Sequence, residues 1–411
     1  MVKIEFPEST RKRLEQIGAA DLLIGITGAV SADELRTKVD AAFAQGNSFS
    51  KIVVASAGTE TTDDLVNDAD SRFHYVTYPL PLQDSGAVPW GEMGISQRSV
   101  LSIASSIGTQ VCLVLHADAN ALQAQTIALL VQPVIENKCE LVTPIYPFGK
   151  YEGLINSSIL SPLVRALYGK RIRQPLPFDF SVSTRICSRL SQGDQRNGYT
   201  GPLLVWPATI PAIESATISQ AYLDVQHPVH TDGLELSTVI AQLAGSAFLE
   251  METHAAHWQR VRGSQPTPLW GTPVKSSTSS EPVDARPMID SFLLGSSNLE
   301  EVWRLVLPPV TLLELKRLTR LTPEQFRMPD ALWVRIVYDF ALAHRLRTIS
   351  RTHLLGAFTP LYLGWVASYV QEVAAVTPTA AEQRLEQLAR AYEDNKPYLV
   401  SRWRWPDRFN P

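Results

Sequence analysis

The 411-residue sequence predicts an α/β protein: an open, mostly parallel sheet with helices on both faces, then a mostly helical C-terminal region. Three observations predict it. Over the first 150 residues, short apolar runs alternate with stretches of helical period. Those runs are apolar without interruption, as strands covered on both faces require. After Glu235 the helical period returns and dominates to the end.

DLLIGIT (21–27) reads as the first strand. SADELRTKVDAAFAQG (31–46) follows as a helix: Ser31 and Glu34 have capping-box spacing, Leu35, Val39, Ala42 and Phe43 share one face, and Gly46 supplies a stop. KIVVAS (51–56) and FHYVTYPL (73–80) are the next strands. A helix near 95–107 leads into VCLVL (111–115), a helix from about 121 to 137 follows, and ELVTPIY (140–146) is another strand. From 150 to 230 the pattern loosens around one helix at 160–168. GTPVKSSTSSEPVDARP (271–287) interrupts the later helices as a solvated loop. PDALWVRIVYDFALAHRL (329–346) is strongly helical, with Pro329 and Asp330 suited to its first turn. LLGAFTPLYLGWVASYV (354–370) approaches the shortest spanning length, yet it contains Thr359, Pro360 and Ser368 and reads as a buried helix.

A net charge of −4 without single-sign blocks argues against nucleic acid as a partner. Cys112, Cys139 and Cys187 form no CxxC pair and fit buried thiols in a reducing compartment. No apolar leader segment is visible at the N-terminus, so a cytoplasmic protein with no integral membrane segment is expected. TGAVSAD after the first strand has one glycine, which excludes a dinucleotide fingerprint and a P-loop.

QVCLVLHADAN (110–120) is the sharpest local signal. A strand ends in His116 and Asp118, and in such sheets ligands collect at the carboxyl ends of strands. One carboxylate with one imidazole suits Mg²⁺ or Mn²⁺, shifted towards the softer Mn²⁺. The competing use is a helix cap from Asp118 or Asn120. Asp68 and Asp70 also form acid-x-acid, but within a polar loop that follows no strand.

The block TPIYPFGKYEGLINSSILSPLVRALYGKRIRQPLPFDFSVS (143–183) resembles GT-A-type retaining glycosyltransferases of the glucosylglycerate and glucosyl-3-phosphoglycerate synthase group. ADLLIGIT, PLYLGWVASYV and KPYLVSRWRWPDRFNP resemble bacterial members of the same group. The resemblance implies a GT-A-like nucleotide-sugar-binding domain over 1–250, with a mostly helical region over 251–411 packed on it. It implies that His116, Asp118 and His227, or His230 in place of His227, hold the metal. Thr27, Gly28 and Ser56 would border the nucleotide, and Leu176 and Pro177 the sugar. Asp118 and Asp179 are the catalytic candidates, Asp179 beside the hexose. Gly153 and Asn156 fall where the group grips its acceptor, and Leu154 replaces a polar residue there. Arg171 and Arg173 suit either an anionic ligand or surface salt bridges.

The departures from the group's pattern fall where chemistry belongs. His116 stands for the first acid of the metal pair, Ala57 for the acid after the second strand, Glu92 for a donor-binding lysine, and Pro202 for a downstream acid. Reversing a charge about 6 Å from a diphosphate costs roughly 3 kcal/mol per unit charge at an effective dielectric of about 20. In a retaining front-face reaction the departing phosphate takes the acceptor's proton, so Pro202 alone is not fatal. The resemblance thus implies transfer of a hexose from a nucleotide-sugar to a small polar acceptor such as glycerate, with retention. The alternative is a catalytically silent paralogue that binds a nucleotide-sugar or serves as a partner subunit. In the tail, Trp403, Trp405 and Phe409 are expected to dock while Arg402, Arg404 and Arg408 stay wet, or to form a homodimer contact.

Overall fold

The computed structural model describes residues 6–28, 30–44, 49–58, 71–79, 89–117, 121–191, 204–225, 235–275 and 282–406. Eight strands pair into one sheet: β1 (Leu22–Thr27), β2 (Ile52–Ala57), β3 (Phe73–Tyr78), β4 (Val111–His116), β5 (Leu141–Ile145), β6 (Phe180–Ser183), β7 (Ile218–Tyr222) and β8 (Leu269–Trp270). Their spatial order is β8-β7-β5-β6-β4-β1-β2-β3. β6 runs antiparallel to β4 and β5, and the other pairs are parallel. The predicted α/β class and mostly parallel sheet are therefore observed.

β1 is buried at every position, which explains its unbroken apolar run. Leu22, Ile24 and Ile26 join one core with Leu35, Val39 and Phe43 of the helix Ala32–Phe43. That helix is capped as expected from Ser31, whose Oγ accepts the Glu34 N–H at 3.3 Å. The Glu34 carboxylate pairs with Lys38. Gly46, the expected stop, lies outside the described residues. Pro89 opens the helix Pro89–Ile107, which therefore starts earlier than the periodicity near 95 suggests. The helix Ala124–Ile135 has Gln123 as its N-cap residue, with no side-chain cap bond. The alternative caps Asp118 and Asn120 lie outside the described residues.

The chain divides into two compact units that alternate along the sequence. The first comprises 1–147, 172–230 and 266–275, and the second 148–171, 231–265 and 276–411. A single division at 250 thus differs from the contacts, because 148–171 and 231–250 belong with the later helices, and β8 returns to the sheet. Residues 276–281 of the expected loop 271–287 lie outside the described residues, and a helix begins at Arg286.

The second unit is helical. The 354–370 stretch lies in the helix Arg351–Val373, largely buried, and no described helix is long and apolar enough to cross a membrane. Trp333 stacks on Phe358 at 5.5 Å and on Trp365 at 5.9 Å, so aromatic surface supplies much of this core. A π turn at Asn156–Leu160 precedes the helix Ser161–Tyr168. The tail corrects one expectation. Trp403 is buried edge-on to Trp258, but Trp405 is 71% exposed and Arg402 is buried against Asp339. Pairing with a buried carboxylate, not wetting, accommodates this arginine. Phe409 and Arg408 lie outside the described residues.

Candidate active site

The chain runs β1, β2, β3 towards one edge, then places β4 on the opposite side of β1. Strand order reverses at the boundary between β1 and β4, the position at which α/β sheets bind ligands. Thr27 and His116, the last residues of these strands, are direct partners across it. The Ala117 N–H donates to the Thr27 carbonyl at 2.8 Å, extending the pairing by one residue.

Gly28 turns the chain away from β1 with φ of 91°, a backbone state that favours glycine. A Cβ placed there would stand 3.6 Å from Cε1 and Nε2 of His116, so the turn lies against the imidazole. The His116 ring is half-buried and meets Phe178 edge-on at 5.5 Å; Phe178 in turn lies 5.2 Å from Trp90. Behind this wall, Gln97 Nε2 donates to the Pro177 carbonyl at 3.2 Å and holds the loop before β6.

Asp179 is fully buried at the start of that antiparallel strand, which places it at the carboxyl ends of β4 and β5. Its Oδ1 accepts the His116 N–H at 2.9 Å, and its Oδ2 accepts the Tyr146 O–H at 2.9 Å. Burial, and then the Asp179 charge, push the Tyr146 phenol well above its usual range, so it remains a donor. Tyr78 braces the neighbouring strands in the same way, donating to the Ile26 carbonyl at 2.8 Å and meeting Ser96 Oγ.

The structure thus brings Thr27, Gly28, Ser56, His116, Leu176, Pro177 and Asp179 into the first unit at or near the strand ends. The Thr27 side chain is buried, its hydroxyl given to the Leu115 carbonyl. Ser56 is 6% exposed, one residue before Ala57, the last residue of β2. Glu92 is exposed on the first turn of its helix. Leu176 and Pro177 are buried. Arg173 gives its N–H to Gln220 Oε1, and Arg171 donates to Ser264 Oγ.

Gly153 and Asn156 belong to the second unit. Gly153 is exposed with φ of 60°, and Asn156 opens the π turn. Lys150, in the same segment, donates to the carbonyls of Val373 and Ala374, where a cation complements the helix C-terminus.

Asp118, His227, His230 and Pro202 lie outside the described residues, as do Asp68 and Asp70. Among the described residues no group of three His, Cys, Asp or Glu side chains could hold a metal ion. His116 is the described member of the predicted ligand set. The two oxygens of Asp179 accept from the His116 N–H and the Tyr146 O–H.

Sequence reasoning missed Tyr146, Trp90, Phe178 and Gln97. Trp90 and Gln97 are seven apart and share a helix face, a signal that periodicity could have found. Nothing in the sequence ties Tyr146 to Asp179, which the antiparallel strand brings within hydrogen-bond reach.

No family model matches the chain, and no curated protein matches it. Among solved structures, the chain is similar to glucosyl-3-phosphoglycerate synthase from Mycobacterium tuberculosis in complex with Mn²⁺, UDP and glucosyl-3-phosphoglycerate. That likeness has 14% identity and a TM-score of 0.38, and covers 56% of this chain and 79% of that one. The same synthase with Mg²⁺ and UDP gives 14% identity and a TM-score of 0.36, covering 59% and 81%. Mannosyl-3-phosphoglycerate synthase from Rubrobacter xylanophilus gives 16% identity and a TM-score of 0.37, covering 62% and 81%.

Proposed function

We propose that the protein is a glycosyltransferase that moves a hexose from a nucleotide-sugar to a small polar hydroxy acid such as glycerate, with retention. The observation that carries this reading is the reversal of strand order between β1 and β4, where the turn at Gly28 lies against the His116 imidazole. The resemblance of the 143–183 block supplies the substrate class. Thr27, Gly28 and Ser56 border the nucleotide, and Leu176 and Pro177 the sugar.

His116, Asp118 and His227 would hold Mg²⁺ or Mn²⁺, whose charge offsets that of the diphosphate. In the transfer, the bond from the anomeric carbon to the phosphate oxygen breaks and a bond to the acceptor oxygen forms on the same face. The acceptor's proton passes to the departing phosphate, so no protein base is needed. Positioning by the rim residues is then the chain's main contribution.

A second reading, a silent paralogue that binds a nucleotide-sugar or a partner subunit, is favoured by two observations. Ala57 ends β2 with no side-chain donor or acceptor, and Glu92 presents an exposed negative charge where the group has a lysine.

Thermal unfolding with UDP- and GDP-sugars, with and without Mn²⁺, tests the proposal. A donor at about 100 times its dissociation constant adds roughly 2.7 kcal/mol. Stabilisation that needs Mn²⁺ and disappears in Asp118→Ala supports the transferase, and a transfer assay with glycerate then decides between the two readings. No stabilisation by any donor at millimolar concentration overturns both nucleotide-sugar readings. The proposal also places the protein in the cytoplasm, and the exposed Trp405 in a homodimer contact that sedimentation velocity would detect.

A further inference from the structure

Tyr146 and Asp179 are 33 residues apart yet joined by two hydrogen bonds. Tyr146 Oη donates to Asp179 Oδ2 at 2.9 Å, and the Asp179 N–H donates back to Tyr146 Oη at 3.2 Å. Asp179 Oδ1 accepts the His116 N–H. The carboxylate therefore ties together the ends of β4 and β5, the two strands that flank β6. A buried carboxylate left partly unbonded costs far more than an apolar filler would, so this arrangement is stable only while every bond is made. Tyr146 is itself buried, at 6% exposure, and water does not substitute readily for its hydroxyl.

We propose that Tyr146 is a positioning residue: by locking the Asp179 carboxylate, it fixes the peptide that carries the His116 imidazole at the end of β4. Asp179 then orients the rim; its two oxygens face protein donors. The inference deepens the proposed donor site and rests on it for the ligand, but the clasp itself is measurable without one.

The test is amide hydrogen exchange at His116, resolved by NMR, in the full chain. Tyr146→Phe should speed exchange of the His116 amide at least tenfold while the amides of Cys112 to Val114 keep their wild-type rates. Asp179→Ala, or Asp179→Asn if the alanine variant does not fold, should do at least as much. In that background Tyr146→Phe should change the rate less than twofold, because the phenol acts through the carboxylate. A folded Tyr146→Phe with unchanged His116 exchange overturns the proposal, as does an equal effect of Tyr146→Phe in both backgrounds.

A second arm follows broadening of the His116 ring resonance by Mn²⁺ alone. Its midpoint should rise at least fivefold in Tyr146→Phe. If wild-type protein shows no Mn²⁺ broadening, the metal reading fails while the exchange data still decide the clasp.

Discussion

Thr27 gives its hydroxyl to the carbonyl of Leu115 at 3.3 Å, across the boundary where the sheet reverses its strand order. The bond lies beneath the rim and joins β1 to β4, the two strands that carry Gly28 and His116. Thr27→Val keeps the shape and removes the donor. Unfolding stability should fall by about 1 kcal/mol, the typical net value of one such bond. Denaturant unfolding checks this. A variant of unchanged stability but weakened donor binding would show instead that the hydroxyl serves the ligand.

Gly28→Ala is expected to be more damaging to the site. With φ of 91° the new side chain is strained, at about 1–2 kcal/mol. Its Cβ would also stand in van der Waals contact with His116 and Ala117, at 3.6 and 3.5 Å, and change the surroundings of the ring. The His116 ring resonances should shift, and stabilisation by a nucleotide-sugar with Mn²⁺ should be lost. Ring resonances at wild-type positions would show that the turn and the imidazole are independent.

The contrast between these residues and Tyr146 shows what the sequence carries. Period-2 and continuous apolar runs report local backbone state and burial, so β1, β2, β3 and β4 were legible within a residue or two. The Ser31 cap was legible because its partner is three residues away. The antiparallel insertion of β6 was not. Four residues of strand have no periodic signature, and their pairing with β4 and β5 is a long-range choice. Every relationship that depends on β6, including the Asp179 clasp, was invisible for that reason. The tail failed differently: alternating Trp and Arg residues suggest one buried and one wet face, but a helix over Lys396–Arg404 places Arg402 and Trp403 both inside.

Pro162 accounts for an unusual pair of bonds in the second unit. It has no N–H to return to the carbonyl of Ser158, four residues earlier. That carbonyl instead accepts from Tyr392 Oη at 2.7 Å and Trp333 Nε1 at 3.2 Å. Tyr392→Phe should cost about 1 kcal/mol. Pro162→Ala restores a local donor, so the same Tyr392→Phe change should cost less in that background. Equal costs in the two backgrounds would mean that the Tyr392 bond does not depend on the missing N–H of Pro162. A double-mutant cycle measured by denaturant unfolding separates these outcomes.

Asp339 makes the stability of the second unit depend on pH. The residue is 1% exposed, accepts the one O–H of Tyr398, whose oxygen lies 2.7 and 2.9 Å from the two carboxylate oxygens, and meets Arg402 Nε at 3.2 Å. Burial raises its carboxyl to about 6, against the lowering effects of Arg402 and Tyr398. An unfolded aspartate titrates near about 3.9. Between these values the folded chain holds the proton and the unfolded chain releases it. The contribution of this group is therefore fully present below about pH 4 and is lost as pH rises through about 6, on the order of 3 kcal/mol in all. Above that it is flat. Asp339→Asn has no such titration, so the stability of wild type relative to this variant should fall from pH 4 to 6.5 and then level off. Arg402→Met should destabilise most above pH 7, where it leaves a buried charge unpaired at about 3–5 kcal/mol, and least near pH 4. Urea unfolding of the three proteins from pH 4 to 8 measures both slopes. A wild-type curve that does not fall relative to Asp339→Asn over pH 4 to 6 would mean that the Arg402 charge outweighs burial, and that the pair is ionised throughout.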